Sequence, residues 1–443
     1  MKKNLLTWVF ACMAASVSAQ FEITGVPVDT TARQTHLDTV FVVDGTTGGV
    51  LTFRDGNMHK GLRWLGYDLD GNTNELASDA DATSLSVSLL AQASVGYKLE
   101  VDDDTLQYNK WVWVFDYQAY PLQLNGITAD SDVSDRCHYI QLLFDYEADK
   151  FLYDSIGGGH APFELERYFV LTYDSTYYSD GSYLTETVSH TLPAVSYYPI
   201  ESPLDNTVYS LKGDCFAESF GRATTVETDE FQAIAVAIQP EASVRERDAK
   251  NELDRDVSSN LKISGSAPLN VEILSHASPA AFFYNWCLTT DRRLEHCEVE
   301  QLDADYRYVF TERQLYYLRL QVTNSAMSDD SLQTCLQEKL YTIEVMESSL
   351  DVPNVFTPNG DGMNDLFKVA YRSLTSFKAR VYNVWGRLVY SWEDPTDGWD
   401  GTIGGKPAAE GAYFYVIEAV GDDRDEKGNP IKYSLKGDIN LIR

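Results

Sequence analysis

The chain has 443 residues, of which 67 are acidic and 35 are basic, so its formal net charge is −32 at pH 7. This charge argues against nucleic acid as a partner and against docking on an anionic membrane surface, because both kinds of binding need clustered Lys and Arg. Aromatic residues make up 12% of the chain, too many for a disordered acidic protein. A chain of this length is expected to form about three or four domains.

The N-terminal residues 1–19 have the features of a secretory signal peptide. Lys2 and Lys3 precede a short apolar run, small residues follow, and we expect cleavage after Ala19. The apolar run is too short to span a bilayer. A lipoprotein signal that uses Cys12 is the alternative, but the short run before this cysteine disfavours it. Export would make disulfide bonds possible.

Five cysteines remain after the expected cleavage, and this odd number implies that at least one is unpaired or pairs between chains. The favoured disulfides are Cys137–Cys215 and Cys297–Cys335, because each pair lies within one proposed domain. Cys287 lies in an apolar strand, where a buried thiol is also expected. The sequence has no CxxC or Cys/His zinc spacing, which argues against a structural metal held by thiolates.

Short runs rich in Val, Tyr, Phe, Thr and Leu alternate with turn residues, which predicts an all-β chain of tandem Ig-like β-sandwich domains. No crossover helices are evident, so a parallel α/β sheet is disfavoured. The strands expected in the first half of the chain are, in order, 39–43, 85–90, 97–101, 111–117, 139–145, 168–173 and 231–238.

Breaks in this pattern divide the mature chain into domains at 20–125, 126–239, 261–349 and 352–443. The first two could also form a single larger unit, since no composition shift separates them. Residues 240–260 are rich in charge and fit a linker or a short solvated helix equally well. The last domain has 13 acidic and 11 basic residues, so nearly all the net negative charge lies before it.

The domain at 261–349 has a tryptophan, Trp286, in an apolar strand, followed by a strand of alternating Tyr and Leu at 316–322. This arrangement is typical of the packed layer of a sandwich. The order of its strands resembles the polycystic-kidney-disease (PKD) type of Ig-like domain. The resemblance implies a spacer or a binding surface. The loop at 287–290 departs from that family, so the family's loop properties are not carried over.

The last domain begins with a short edge strand, which Pro353 and Pro358 keep from further pairing. A tight turn of Asn, Gly and Asp follows, where positive φ is accessible. Residues 397–401 predict a turn that buries Trp399. In the final strand, 431–441, the odd-numbered positions form an apolar face and the even-numbered positions form a polar face.

The motifs of this domain resemble the gliding-motility-associated C-terminal domain, the type B sorting signal of the Bacteroidetes type IX secretion system. Matching strings occur at 356–365, 382–386, 398–401, 411–415 and 436–441. The resemblance implies that the type IX translocon, and a PorP/SprF-type outer-membrane protein, recognise the domain and deliver the chain to the cell surface or the medium. It assigns the sorting signal to Asn359, Asp361, Asp365, Trp385, Gly386, Trp399, Lys436, Gly437, Asp438, Ile439, Leu441 and Arg443.

Calcium is the one cofactor that the sequence suggests, at either of two acidic turns. A solvated hairpin turn is the favoured interpretation of the first, because its Gly and Glu are not where an EF-hand loop needs them. A hydrogen-bonded Asx turn is favoured for the second. The candidate ligands are Asp68, Asp70, Asn72 and Asn74 in the first turn, and Asn359, Asp361, Asn364 and Asp365 in the second.

Short Asp-Ser/Thr triplets resemble the O-glycosylation sequon of the same phylum, although strand alternation also explains some of them. The candidate acceptors are Thr30, Thr39, Thr105, Ser155, Ser175 and Ser331.

Catalytic motifs are absent from the sequence: there is no GxSxG, HExxH, P-loop or GxGxxG, and the histidines lack metal-ligand spacing. We therefore expect a non-enzymatic modular protein at the cell surface or in the medium, which adheres or binds an unidentified extracellular ligand. Two alternatives stay open. One is a surface hydrolase acting on glycan or peptide with a site in 20–239, and the other is an accessory component of the secretion or gliding apparatus.

Overall fold

The computed structural model describes residues 20–29, 35–103, 106–130, 135–156, 161–244, 261–325, 334–425 and 427–443. The predicted signal peptide and Cys12 lie outside these residues. The described chain is almost entirely β, with one α-helix, α1 (Cys215–Ser219), and a 3-10 turn (Tyr117–Ala119). Two compact units comprise the described parts of 1–175 with 185–232, and of 176–184 with 233–443.

The described strands up to residue 227 belong to a series of antiparallel and mixed sheets. They are β1 (Phe21–Thr24), β2 (Thr39–Val43), β3 (Val50–Tyr67), β4 (Thr73–Ser88), β5 (Ser94–Asp103), β6 (Leu106–Asp116), β7 (Gln123–Asp130), β8 (Tyr139–Glu147), β9 (Phe151–Tyr153), β10 (Phe163–Leu165), β11 (Tyr168–Ser179), β12 (Ser182–Pro193), β13 (Tyr197–Glu201), β14 (Ser210–Gly213) and β15 (Thr224–Glu227).

The first sheet has the order β1-β3-β5-β6-β2, with β4 also paired to β3. The long strand β3 allows this one sheet to form two layers, because its first four residues pair with β1 and its last seven with β5. A register shift between Arg54 and His59 marks a bulge, and bulges bend strands. Phe53 and Trp64, from the two halves of β3, are consequently buried in the same core.

A second sandwich follows, formed by the sheets β13-β8-β7 and β12-β11-β14-β15. Its core includes Phe144, Phe169 and Leu211. A further buried cluster joins Phe115 of β6 to Phe151 of β9 and to residues of α1. The domains predicted at 20–125 and 126–239 both contribute residues to this cluster, and most of each belongs to the first unit. The strand expected at 231–238 is wrong, since only isolated bridges form at its two ends.

The first unit contains a buried ion pair. The Arg167 guanidinium contacts the Asp214 carboxylate, and Nη2 of Arg167 donates to the carbonyl oxygens of Tyr120 at 2.6 Å and Asp149 at 3.2 Å. Asp214 also caps α1, because its Oδ1 accepts the backbone N–H of Ala217 at 2.8 Å. Both side chains are buried. Each charge therefore has a partner, which a buried charge requires.

The strands that follow belong to the second unit. They are β16 (Glu241–Val244), β17 (Lys262–Ser266), β18 (Leu269–Leu274), β19 (Phe283–Thr289), β20 (Val299–Gln301), β21 (Tyr306–Phe310), β22 (Leu315–Thr323), β23 (Leu336–Met346), β24 (Ser349–Asp351), β25 (Val355–Phe356), β26 (Ala370–Arg372), β27 (Leu374–Tyr382), β28 (Leu388–Trp392), β29 (Thr402–Ile403), β30 (Lys406–Pro407), β31 (Gly411–Arg424) and β32 (Pro430–Leu441).

The third predicted domain is an Ig-like sandwich of the sheets β16-β18-β21 and β17-β23-β22-β19-β20. Trp286 is buried between them, with its ring centroid 5.2 Å from that of Tyr306. The sequence placed residues 241–244 in a linker, but they form the edge strand β16, which pairs with β18. The rest of the predicted linker, 245–260, lies outside the described residues.

Both predicted disulfide pairings are wrong. Cys287 of β19 is bonded to Cys297, with their Cα atoms 5.2 Å apart, so Cys297 is not available to Cys335. Cys137 and Cys335 each take part in a disulfide bond, whereas Cys215 is not disulfide-bonded. The Cys287–Cys297 bond joins neighbouring segments, because β20 starts two residues after Cys297 and pairs with β19.

The last domain is built on the five-stranded sheet β25-β32-β31-β27-β28. Its core includes Phe356, Phe367, Trp399 and Ile439. The domain begins slightly earlier than the predicted residue 352, because β24 pairs with β26 inside it. Two residues separate β24 from β23 of the Ig-like sandwich.

Candidate functional site

The turn at 359–365 is closed by hydrogen bonds among its own residues. The two oxygens of Asp365 accept the backbone N–H groups of Gly360 at 2.7 Å and Gly362 at 2.8 Å. Both glycines have positive φ, which turns their N–H groups toward the carboxylate without the steric cost of a side chain. The Asx turn expected here is formed by Asn359, whose Oδ1 accepts the backbone N–H of Asp361 at 3.0 Å. Asp365 closes the loop around it from the other end.

Asp361 closes the other side of the same turn. It accepts the backbone N–H of Met363 at 2.8 Å and the side-chain amide of Asn359 at 2.9 Å. The hydrogen bond from Met363 and that from Asn359 lower the pKa of Asp361. Asn364 has a positive φ, and its carbonyl accepts the N–H of Thr357 at 2.9 Å.

The side chains of Trp399 and Arg443 donate hydrogen bonds to backbone carbonyls in the segment 401–408. Trp399 is buried, as predicted, and its Nε1 donates to the carbonyl of Thr402 at 2.7 Å. Arg443 donates from Nη1 to the carbonyl of Ala408 at 2.6 Å and from Nη2 to that of Gly401 at 3.0 Å. The side chain of Arg443 thereby satisfies two loop carbonyls, a role that the sequence did not reveal.

The final strand β32 places its motif residues on two faces. Ile439 and Leu441 are buried, and Gly437 lies on their side of the sheet, opposite Tyr415 of β31. Lys436 and Asp438 are exposed on the other face. The alternation predicted from the sequence therefore describes this strand correctly.

Trp385 lies in the turn between β27 and β28 and is 87% exposed. The side-chain oxygen of Asn383 accepts the backbone N–H groups of Trp385 at 3.1 Å and Arg387 at 2.9 Å. Gly386 has φ 74°, a value that favours glycine. The motif residues of the last domain thus separate into those that build the domain and the exposed group of Trp385, Lys436 and Asp438.

The other candidate calcium turn, at 68–74, is also bonded internally. Asp68 accepts the backbone N–H of Asn72 at 2.9 Å and its side-chain amide at 2.8 Å, which lower the pKa of Asp68. Asp70 lies in the turn itself, and Asn74 is in β4, paired with Gly66. Within the described ranges, no group of three or more His, Cys, Asp or Glu side chains could hold a metal ion. Calcium binding at either turn stays a prediction.

A titratable cluster around a buried histidine in the first unit was not predicted. His59 is buried, with Nδ1 2.6 Å from Oδ1 of Asp103 and Nε2 2.9 Å from Oδ1 of Asp55. Burial disfavours the imidazolium, but the hydrogen bonds with Asp103 and Asp55 outweigh it and raise the pKa of His59. Because each ring nitrogen faces a carboxylate, the protonated ring donates on both sides.

Three of the glycosylation candidates, Thr30, Thr105 and Ser331, lie outside the described residues. The other three, Thr39, Ser155 and Ser175, are partly exposed. Thr39 begins β2 and donates from its hydroxyl to the carbonyl of Asp38 at 2.6 Å. Glycosylation at these positions stays a prediction.

Comparison with protein families matches residues 350–432 to the CHU_C type IX secretion signal domain and residues 128–228 to a fibronectin type III domain. The chain therefore carries a type IX secretion signal domain, which confirms the resemblance predicted from its motifs. The fibronectin type III match, together with the sheets described above, confirms the prediction of tandem Ig-like sandwiches. A type IX signal implies export to the cell surface or the extracellular space.

Comparison with solved structures gives matches of low identity and low TM-score. One is a tetra-tandem repeat in the extending region of a large adhesion protein, 12% identical over 88% of this chain and 95% of that chain, with a TM-score of 0.21. Another comprises the N-terminal eight Ig domains of Down Syndrome Cell Adhesion Molecule, 10% identical over 91% of this chain and 53% of that chain, with a TM-score of 0.24. A third, the chicken CNTN1 FN1–FN3 domains, is 12% identical over 72% of this chain and 97% of that chain, with a TM-score of 0.17.

No curated protein matches the chain.

In the described part of the chain, no helix has the length and apolar character that crossing a membrane requires.

Proposed function

We propose that this chain is a modular surface or secreted protein, exported by the type IX system, that acts by binding rather than by catalysis. The observation that carries the proposal is the secretion signal domain at 350–432, preceded by sandwiches of fibronectin and Ig type. The N-terminal signal peptide would take the chain to the periplasm. The type IX translocon, with a PorP/SprF-type outer-membrane protein, would then read the last domain.

The binding role is supported by an exposed aromatic face in the first unit. On β8 and β13, Tyr139 and Tyr197 are 55% and 56% exposed, and Leu143, the register partner of Tyr197, is exposed as well. Ile140 and Leu142, which alternate with Tyr139 and Leu143 on β8, are buried in the core, so the exposed side chains share the outer face. Exposed tyrosines combine apolar area with a hydrogen-bonding hydroxyl, which suits adhesion to another surface.

Deleting residues 347–443 in a bacterium with a type IX system tests the export proposal. We expect the shortened chain to accumulate in the periplasm, whereas the full chain reaches the surface or the medium. Fractionation followed by immunoblotting measures both pools. Normal surface display of the shortened chain would overturn the proposal.

The substitutions Tyr139→Ala and Tyr197→Ala test the binding role. We expect the double variant to be exported normally but to lose attachment of whole cells to surfaces or to other cells. Tyr177→Ala, which also removes an exposed tyrosine from the chain, is the matched control. Unchanged attachment by the double variant would contradict a binding role for this face.

A further inference from the structure

The outer face of the last sheet carries a row of apolar side chains on three neighbouring strands. Tyr382 of β27 is the register partner of Phe414 on β31 and of Leu388 on β28. Val384 and Trp385 lie in the turn that joins Tyr382 to Leu388, and both are exposed. We call these five residues the apolar strip. Phe414 is 48% exposed, although the opposite side of the same strand supplies the core.

The strip lies at the end of the domain that is farther from the Ig-like sandwich. The strand β27 starts after Ser373, whose hydroxyl hydrogen-bonds that of Ser266 in the sandwich. It runs for nine residues to Tyr382, a length of about 26 Å at the rise of a β-strand. A partner that approaches this end of the domain would therefore meet the strip before it meets the neighbouring sandwich.

The turn that carries Trp385 is ordered by hydrogen bonds among its own residues. Besides the two bonds accepted by the Asn383 side chain, the Asn383 N–H donates to the carbonyl of Arg387 at 3.0 Å, and the Gly386 N–H donates to that of Asn383 at 2.8 Å. An exposed indole on an ordered backbone loses less conformational entropy on binding than one on a loose loop. Tryptophan is also enriched among residues that dominate binding energy.

Charged residues flank the strip in a defined pattern. Asp438 is the register partner of Phe414, and Lys436 pairs with Val416 on the next row. The side chains of Lys436 and Arg387 form no hydrogen bond or ion pair with other described residues. Farther along the face, Lys378 and Arg380 are already paired with Glu393 and Glu418. Of the bases on this face without such a partner, Lys436 and Arg387 lie beside the strip and Lys432 lies farther along the face, on a chain whose net charge is −32.

This pattern favours a protein as the partner over an anionic lipid surface. A lipid surface of negative charge would attract Lys436 and Arg387 but repel Asp438, Glu393 and Glu418 on the same face. A protein can place carboxylates opposite the two bases and a donor opposite Asp438, and such complementarity gives specificity.

We propose that the apolar strip is the docking surface by which the export apparatus recognises this domain, through an apolar pocket on an outer-membrane protein that holds Trp385 and has carboxylates at its rim. This inference rests on the proposed export by the type IX system. The other motif residues, such as Asp365, Trp399 and Arg443, then act indirectly by building the domain that presents the strip.

The test uses the full chain with Trp385→Ala and Phe414→Ala combined, expressed in a bacterium with a type IX system. We expect the exported fraction to fall at least about tenfold, as for the loss of dominant interface residues, while the melting temperature of the purified variant stays that of the parent chain. Phe282→Ala, which removes an exposed aromatic from the Ig-like sandwich, is the matched control and should be exported normally.

The charged border is tested by Lys436→Glu against Lys432→Glu, the same change on the same face but farther from the strip. We expect export to fall for the first variant and not for the second. Equal export by the W385A/F414A variant and the parent chain would overturn the docking surface. Equal export by that variant would not overturn the proposed function, provided that the chain lacking 347–443 still accumulates in the periplasm.

A photo-crosslinking amino acid at position 385 identifies the partner in living cells. We expect an adduct with an outer-membrane protein of the secretion apparatus, identified by mass spectrometry, and none when the crosslinker is at position 282. An adduct with a second copy of this chain, or with lipid alone, would overturn the proposal. Binding of the purified chain, but not of the Trp385→Ala variant, to vesicles of anionic phospholipid would also overturn the proposal.

Discussion

The phenol of Tyr415 lies directly over Gly437, its register partner on the neighbouring strand. A Cβ at position 437 would come within 2.6 Å of the Tyr415 hydroxyl and 2.8 Å of the ring. The ring also packs near Phe367 in the core, at a centroid distance of 5.9 Å. It therefore has little room to move away, which explains a glycine in the middle of a strand.

We predict that Gly437→Ala lowers the free energy of unfolding of the last domain by about 1–3 kcal/mol, the usual cost of overpacking a core. Chemical denaturation followed by tryptophan fluorescence measures the change. Ser434→Ala, on the exposed face of the same strand, should have almost no effect. Equal stability of the Gly437→Ala variant and the parent chain would show that Tyr415 can move aside.

Asp365 is expected to hold the turn at 359–365 together. Asp365→Ala removes the acceptor of two backbone N–H groups, and we predict a loss of about 1.5–3 kcal/mol, the range for a hydrogen bond to a charged group. Asp365→Asn keeps one acceptor oxygen and should lose about half as much. Hydrogen exchange at Gly360 and Gly362 provides the local measurement, and unchanged protection in the alanine variant would contradict the prediction.

Removing Arg167 should destabilise the first unit strongly, because the buried carboxylate of Asp214 would lose its charged partner. We predict a loss of about 3–5 kcal/mol for Arg167→Met, the range for breaking a buried ion pair. The double variant Arg167→Met with Asp214→Asn should recover part of this loss, since it leaves no buried charge. Thermal denaturation of the full chain distinguishes the two, and a double variant less stable than the single one would contradict the electrostatic explanation.

The cluster around His59 predicts a pH dependence of stability. The folded-state pKa of His59 is raised above its ordinary value of 6.5, so its contribution is complete below pH 6.5. The contribution is lost as the pH rises through the higher folded-state pKa. Asp55 acts in the opposite direction. Burial opposes its ionisation, but hydrogen bonds from Asn57 and His59 lower its pKa below 3.8, so its contribution is lost only in strong acid.

Melting temperatures measured from pH 5 to pH 9 test this prediction. We expect the difference in stability between the parent chain and His59→Gln to be largest near pH 5 and to shrink toward pH 9, because the neutral glutamine does not titrate. His138→Gln, which removes an exposed histidine, should leave the profile unchanged. A constant difference across this range would exclude the protonated ring as the source.

The sequence predicted the strand pattern of the last domain well because turns and alternation are local properties. The faces of β32, the buried Trp399 and the Asx turn of Asn359 all follow from residues that are close together in the chain. The roles of Gly437 and Arg443 could not be predicted in this way. They depend on Tyr415 and on the carbonyls of Gly401 and Ala408, which only the folded sheet brings near them.

The errors in the sequence-based prediction have a similar cause. Keeping each disulfide within a domain could not show that Cys287 and Cys297 lie on paired neighbouring segments. The strand β16 was missed because it is an edge strand of four residues, next to a highly charged run. The exposure of Trp385 was also not predictable, since a tryptophan in a turn is as compatible with burial, as Trp399 shows.

The two-residue connection between β23 and β24 has a consequence for chimeric proteins. Ser348, in that connection, is buried, and its N–H donates to the carboxylate of Asp423 at 2.9 Å. A graft of the export tag that starts at Val352 would omit this residue and the whole of β24, leaving Asp423 buried without that donor. A transplant intended to carry a foreign cargo should therefore start no later than Glu347.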